Sequence, residues 1–159
     1  VEEDFETSVD FSMDAYIPSS YIYDESAKLE IYRRIATIRD EKAESALVDE
    51  LIDRYGDPPA AIMNLLAISR LRHMAHSVYV TDIKQKGRRI TMALLPDARL
   101  DPKGVVGVVS RHAPFMSFTP DEKKPVITVD FDTKVKYSGR DALDEIMGII
   151  NELSRCVAA

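Results

Sequence analysis

Apolar residues in the first half of the chain recur every three or four positions, a spacing typical of amphipathic helices. It predicts three helices: one from Asp24 to about Asp40, one around Glu50, and one from Pro58 to about Ser77. The third is apolar on two sides and is therefore the expected core helix. The positions of the first two helices expected to face the core are Ala27, Ile31, Ile35, Ile38, Ala46, Leu47, Val48, Leu51, Ile52 and Tyr55.

Turn and capping residues separate these helices. Asp24 can cap the first helix, and Glu30 and Arg34 are spaced to form an i, i+4 ion pair on its surface. Gly56 supplies a positive φ at the end of the second helix. Asp57 is then a suitable N-cap for a third helix, whose first turn accepts two prolines because the amides there lack intrahelical partners.

Alternation of apolar and polar residues replaces the helical period after residue 77. Two runs around Gly87 predict a hairpin, with Ile90, Met92 and Leu94 on one face. The resulting fold class is α+β, with helices packed on a mostly antiparallel sheet. The further predicted elements are a short edge strand within 9–17, strands over 78–83, 89–95, 115–118 and 126–131, a glycine-containing, closely packed helix from Asp101 and Pro102 to about His112, and a last helix capped by Ser138 and Asp141.

Charged positions on the second helix form a stripe opposite its apolar side. Glu50, Asp53 and Arg54, at i, i+3 and i+4, project together, and we name them the docking stripe. On spacing alone, a solvated helix face is the simpler interpretation.

Length and composition fit one compact domain. The chain has 159 residues, of which 45% are hydrophobic and 30% are charged. Residues 1–8 are acidic and predict a linker from an upstream domain, which leaves 9–159 as a single domain of a longer protein. Neither a long apolar run nor an export signal is present, and the single Cys156 predicts no internal disulfide and a reducing, cytoplasmic compartment.

Charge is distributed unevenly along the chain. Residues 1–60 carry 16 acidic and 6 basic side chains, which suits a basic protein partner. A nucleic-acid-binding module using the basic 70–89 region is the alternative, although the net charge of −6 disfavours it. The basic side chains in that region are Arg70, Arg72, Lys84, Lys86, Arg88 and Arg89.

Motifs for catalysis are missing from the sequence. It has no phosphate-binding glycine-rich loop with Lys and no His-Glu-x-x-His. His73 and His76 could face one metal, and Asp130 with Asp132 could form a metal-dependent enzyme site. Ordinary surface histidines explain the first pattern better, and a half-buried strand explains the second. No catalytic, cofactor or metal site is therefore predicted.

Several short motifs occur in one order at characteristic spacing over about residues 12–80. They are Ala15-Tyr16-Ile17-Pro18, Tyr21-Ile22, Leu29, Ile31-Tyr32-Arg33-Arg34-Ile35-Ala36 and Glu50-Leu51-Ile52-Asp53-Arg54-Tyr55-Gly56. Together they resemble the C-terminal (TRCF) domain of the bacterial transcription-repair coupling factor family, Mfd. Such a set of motifs is much more specific than any single short pattern.

The resemblance implies a regulatory domain rather than an enzyme. Members of the family are ATP-driven DNA translocases that displace stalled RNA polymerase and recruit excision-repair proteins. Their C-terminal domain docks on the N-terminal UvrB-like module and hides the surface that binds UvrA. The matching positions of the docking face are Glu50, Asp53 and Arg54. ATP and Mg²⁺ are then expected in the upstream motor, and DNA contacts in other domains.

Overall fold

The computed structural model describes residues 5–121, 123–131 and 139–157. Over these residues the chain forms five α-helices and a five-stranded sheet. Contacts divide the chain into two compact units, Met13–His73 and a second unit that joins Val1–Ser12 to Met74–Ala159. Each unit is described by itself. The division into a linker at 1–8 and a single domain over 9–159 remains a prediction from the sequence.

The unit from Met13 to His73 is helical. Helix α1 spans Glu25–Ala36 and helix α2 spans Glu41–Tyr55. The side chain of Asp24 accepts a hydrogen bond from the amide of Ala27, as predicted, and Asp40 caps α2 in the same way. Helix α1 ends earlier than predicted because the chain must turn to place Asp40 before α2.

The core of this helical unit is built from isoleucine and leucine side chains. Ala46 and Ile52, predicted to be buried, are instead exposed, Ile52 by 41%. The reason is helical phase, since each residue advances the helix by about 100° and the core follows Leu47 and Leu51. The buried residues of this core are Ile17, Ile22, Ile31, Ile35, Ile38, Leu47, Leu51, Ile62 and Leu66.

Helix α3 spans Ala60–Ser77 and begins two residues later than predicted. Its first-turn amides, those of Ile62 and Met63, donate to the carbonyl of Pro59. Pro59 therefore holds the capping position, and Asp57 lies too early in the chain to cap the helix. No helix in the described part of the chain is long and apolar enough to cross a bilayer.

The second unit contains a five-stranded sheet in the order β1-β2-β3-β5-β4. Strand β1 pairs with β2 in parallel, and the other three pairings are antiparallel, which confirms the mostly antiparallel α+β fold. Thr7 and Ser8, from the predicted linker, hydrogen-bond to Val80 and Asp82 of β2. The strands are β1 (Ser8–Asp10), β2 (Val80–Lys86), β3 (Arg89–Leu94), β4 (Met116–Thr119) and β5 (Val126–Asp130).

Two helices accompany this sheet. Helix α4 spans Pro102–Arg111 and is capped by Asp101, as predicted. A Cβ added to Gly104 would lie 2.7 Å from the Cys156 Sγ atom, which confirms the close packing expected at this glycine. Close packing was expected at Gly107 as well, but there an added Cβ would meet only the end of the Arg111 side chain, at 3.8 Å. Helix α5 spans Gly139–Ser154, and its predicted capping residue Ser138 lies outside the described residues. Its buried side chains are Ala142, Leu143, Ile146, Ile149, Ile150 and Leu153.

Candidate docking face on helix α2

The docking stripe lies in the last two turns of α2. Asp53 is exposed because helical phase places it opposite the buried Leu47 and Leu51. Arg54 is exposed as well, although its phase is close to that of Leu47. Glu50 is half-buried, with its side chain 39% exposed. The three residues therefore differ in exposure. Glu50 lies at the edge where α2 meets α1.

The carboxylate of Glu50 is already neutralised inside the unit. Arg34 of α1 donates from Nη1 to the Glu50 Oε2 atom, and the Arg54 Nη1 atom lies 3.8 Å from the same oxygen. The predicted ion pair between Glu30 and Arg34 along α1 is wrong, because Arg34 extends to α2 instead. Each such half-exposed pair contributes about 0.2 to 1 kcal/mol, so the contacts orient Glu50 more than they stabilise the fold.

Arg54 is turned towards its neighbour Tyr55. Its Nη2 atom donates to the Tyr55 hydroxyl at 2.9 Å, and its guanidinium carbon lies 5.0 Å from the centre of the Tyr55 ring. A cation over an aromatic face is attracted to it, by about 0.5 to 1 kcal/mol at exposed sites. Arg54 is therefore held in a defined position although it is exposed.

Tyr21 fixes the end of α2 that carries Arg54. Its hydroxyl oxygen lies 2.6 Å from the carbonyl oxygen of Gly56 and 3.2 Å from that of Leu51. Its proton is thus available to the Gly56 carbonyl, which lies just beyond the end of the helix and has no intrahelical donor. Burial, with smaller contributions from Asp57 and Tyr55, raises the pKa of Tyr21. The hydroxyl therefore remains protonated and able to donate.

Arg34 and Tyr21 are the supporting residues that sequence reasoning missed as parts of this site. Both belong to the family-like motifs, but nothing in their spacing indicates a contact with α2. Arg34 is 16 residues from Glu50, and Tyr21 is 35 residues from Gly56. Such contacts depend on how the helices pack, which local periodicity does not encode.

Carboxylates neutralise part of the basic 70–89 region. Arg70 lies 3.5 Å from a carboxylate oxygen of Glu41 and 3.3 Å from one of Glu44. The Nε atom of Arg89 lies 2.8 Å from a carboxylate oxygen of Asp130, which would otherwise be a candidate metal ligand. Fewer free cations remain for phosphate contacts than the sequence count suggests.

The histidines considered as metal ligands face backbone carbonyls. His73 Nε2 lies 3.3 Å from the carbonyl oxygen of Ala36, and His76 Nε2 lies 2.9 Å from that of Phe5. Asp132 of the Asp-x-Asp pattern lies outside the described residues. In the ranges that the structure describes, no three or more potential ligands are grouped to hold a metal ion.

A titratable cluster ties α4 to α5 in the sheet-containing unit. The Glu152 carboxylate lies 2.5 Å from His112 Nε2 and 3.1 Å from Arg111 Nε. Burial by itself would raise the pKa of Glu152, but the hydrogen bonds and charges of His112 and Arg111 together lower it. This cluster holds two elements together, and its carboxylate is stabilised in the ionised form.

Comparison with known proteins identifies relatives of one kind. The family model described as the TRCF domain matches residues 11–105. The transcription-repair-coupling factor of Bacillus subtilis is 29% identical over 153 residues, which cover 95% of this chain and 13% of the relative. That of Staphylococcus aureus (strain USA300) is 40% identical over 90 residues, which cover 56% of this chain and 8% of the relative. The chain thus spans only about an eighth, or less, of the relatives' length.

A solved structure extends the match to the whole fold. The crystal structure of the C-terminal domain of a transcription-repair coupling factor superposes with a TM-score of 0.82 at 22% identity, covering 96% of this chain and 94% of that one. The docking stripe lies within the residues that match the family model. The chain therefore belongs to the TRCF domain family, and its fold is that of the C-terminal domain of a transcription-repair coupling factor.

Proposed function

We propose that this domain is an autoinhibitory module of a transcription-repair coupling factor. In this proposal it docks on the N-terminal UvrB-like module of the same polypeptide and masks the surface that binds UvrA. In this proposal the domain is a regulatory module and contributes no catalytic, cofactor or metal site. ATP and Mg²⁺ act in an upstream DNA-translocating motor, RNA polymerase and DNA are contacted elsewhere in the chain, and the protein works in the cytoplasm.

One observation carries this proposal: α2 presents three charged side chains near its end, and other residues hold two of them, Glu50 and Arg54, in place. Asp53 and Arg54 are exposed, and Arg54 is oriented by Tyr55. Glu50 is oriented by Arg34. Side chains that are already ordered lose less conformational entropy when a partner binds, so such a surface favours protein recognition.

The expected strength of the contact follows from its exposure. Exposed ion pairs contribute about 0.2 to 1 kcal/mol each, so a single alanine substitution in the docking stripe should loosen docking only slightly. If the effects of the three alanine substitutions add, the triple variant loses roughly 1 to 3 kcal/mol of docking free energy. That loss shifts the equilibrium between the closed and open states about 5- to 150-fold. The tether supplies a high effective concentration, so the test belongs in the full-length protein.

The experiment compares UvrA binding by three full-length proteins. These are the parent, the Glu50/Asp53/Arg54 triple alanine variant, and a protein that lacks this domain. We expect both altered proteins to bind UvrA more tightly than the parent. Equal binding by all three would contradict autoinhibition. A gain on deletion without a gain in the triple variant would support autoinhibition and reject the docking stripe.

Nucleic-acid binding by the 70–89 region is the second candidate function. Lys84 and Lys86 are exposed on the hairpin, which favours it, whereas Arg70 and Arg89 are paired with carboxylates. Binding through phosphates would weaken steeply as salt is raised, whereas interdomain docking needs no DNA. A DNA titration of the domain at two salt concentrations separates these functions.

A further inference from the structure

The sheet of the second unit has an apolar side and a polar side. The side chains of Ile83, Ile90 and Ile127, on β2, β3 and β5, belong to the apolar side and are fully buried. Because side chains alternate along a strand, the residues between them point to the opposite side. These residues are mostly polar or charged, and most of them are exposed or half-buried. The polar side is therefore the one that can meet a partner.

One row across the polar side consists of hydrogen-bond donors. The row crosses four neighbouring strands, and strands about 4.8 Å apart make it about 14 Å long. None of its side chains forms a hydrogen bond or an ion pair with a residue that the structure describes. We name it the hydroxyl row, and its members, in register with one another, are Lys84, Thr91, Thr128 and Ser117.

A second row, two residues further along the strands, adds charge and an aromatic ring. Lys86, Arg89 and Asp130 are in register, and the amide of Asp130 donates to the carbonyl of Phe115. Met116 is buried whereas Phe115 is 44% exposed, so alternation places Phe115 on the polar side. We name these four residues, from Lys86 to Phe115, the aromatic row. It lies about 7 Å from the hydroxyl row.

The charge of the two rows is mostly positive. Lys84 and Lys86 are exposed, and 62% of the Arg89 side chain is exposed although Arg89 pairs with Asp130. Asp130 is the only carboxylate among the eight residues, and this pair neutralises it. Asp10 of β1 lies beside Lys84 without forming an ion pair with it, and it marks the edge of the basic surface.

We propose that the hydroxyl row and the aromatic row, together the open sheet face, bind single-stranded DNA. Lys84 and the hydroxyl groups of Thr128 and Ser117 bind phosphate oxygens, and the ring of Phe115 stacks on one unpaired base. The inference does not depend on autoinhibition or on α2. It develops the second candidate function above, because it gives nucleic-acid binding a location and a class of substrate.

The chemistry of the open sheet face favours this occupant over three others. Bases of a duplex are stacked on one another and leave no face free for Phe115. RNA is distinguished through its ribose 2′-hydroxyl, but the carboxylate that could accept from that group, Asp130, is bound by Arg89. An acidic peptide would match the lysines and leave Phe115 without a stacking partner.

The test titrates the 159-residue chain with a labelled oligodeoxythymidylate of roughly 16 nucleotides and reads fluorescence anisotropy. Lys84→Glu should weaken binding about tenfold and reduce the slope of log affinity against log salt by about 0.7, the value of one phosphate contact on a single strand. Phe115→Ala should weaken binding about 5- to 150-fold, because it removes one stacked base. Thr128→Val keeps the shape of the side chain without its hydroxyl and should weaken binding about 2- to 10-fold.

Matched controls make the same changes elsewhere. Lys103→Glu reverses a charge at an exposed position of α4 and should leave the affinity unchanged. Tyr23→Ala removes an aromatic side chain that is 88% exposed, and it should also bind as the parent does. Unchanged thermal midpoints show that the variants are folded.

Other outcomes would overturn the inference. If Lys84→Glu and Phe115→Ala bind DNA as the parent does, the open sheet face is rejected. Weaker binding by Arg72→Glu on α3 would then keep the second candidate function and move it to that helix. If the parent does not bind, both fail and autoinhibition is unaffected. Tighter binding of a duplex, of oligouridylate or of polyglutamate than of the oligodeoxythymidylate would reject single-stranded DNA as the occupant.

Discussion

Glu50 carries a charge that the domain already neutralises, whereas Asp53, three residues later, carries one that it does not. At the scale of single residues, this difference means that contacts within the domain hold Glu50 in place, whereas Asp53 is free to move until a partner binds. Leu51 has a third role, because it is completely buried in the helical core. Substitutions at these three positions should therefore have unlike effects.

The difference in burial between Leu51 and Asp53 predicts different effects of their substitution on stability. Leu51→Ala should lower the free energy of unfolding of the domain by about 2 to 5 kcal/mol, because it removes a buried side chain and leaves a cavity. Asp53→Ala should change it by less than about 0.5 kcal/mol, because the side chain is exposed. Urea denaturation of both variants measures the difference. A larger loss for Asp53→Ala than for Leu51→Ala would mean that α2 is rotated relative to this account.

The hydrogen bonds at Glu152 predict a dependence on pH. Because the folded state lowers the pKa of this carboxyl below its ordinary value of 4.5, its contribution to stability is complete above that value. The contribution is lost as the pH falls through the lower pKa of the folded state. Glu152→Gln should thus destabilise the domain at neutral pH and reduce the fall in stability under acid conditions.

Thermal unfolding from neutral to acid pH tests this effect. Glu145→Gln is the control, since it removes an exposed carboxylate from the same helix, α5. We expect the control to follow the parent. Equal slopes for Glu152→Gln and the parent would contradict the stabilising role of the contacts with His112 and Arg111.

At the scale of elements, periodicity and capping chemistry locate most helices and strands. Asp24 and Asp101 cap the helices for which they were predicted, and the hairpin turns at Gly87, with φ +59°. The failures come from competing local chemistry. Asp57 was predicted to cap α3, but Pro59 holds that position. Ile52 is apolar and correctly spaced for a broad stripe, yet the core is narrower than that stripe.

Capping residues provide a test at this scale. Asp40→Ala should destabilise the domain by about 1 kcal/mol, because its carboxylate accepts the amide of Ala43 at the start of α2. Asp57→Ala removes an equivalent carboxylate that caps no helix and should have an effect of less than about 0.5 kcal/mol. Chemical denaturation of the two variants should rank them in this order, and the reverse order would contradict the assigned helix starts.

At the scale of the whole molecule, the sequence predicts the α+β class and the family but not the contacts that complete the docking stripe. The stripe itself follows from i, i+3 and i+4 spacing. The contact of Arg34 with Glu50 and that of Tyr21 with Gly56 arise only when distant segments pack together. The neutralisation of Glu50, and hence its difference from Asp53, could not be inferred from spacing.

The most direct measurement of the central claim is carbodiimide labelling of carboxylates in the full-length protein, read by mass spectrometry. If α2 is docked, Asp53 is labelled only in the open state, so its labelling should be slower in the full-length protein, in proportion to the fraction of time the domain is closed. Removal of the N-terminal UvrB-like module should restore fast labelling, and Glu145 in the same sample should label equally in both proteins. Equal labelling of Asp53 with and without that module would contradict docking through the docking stripe.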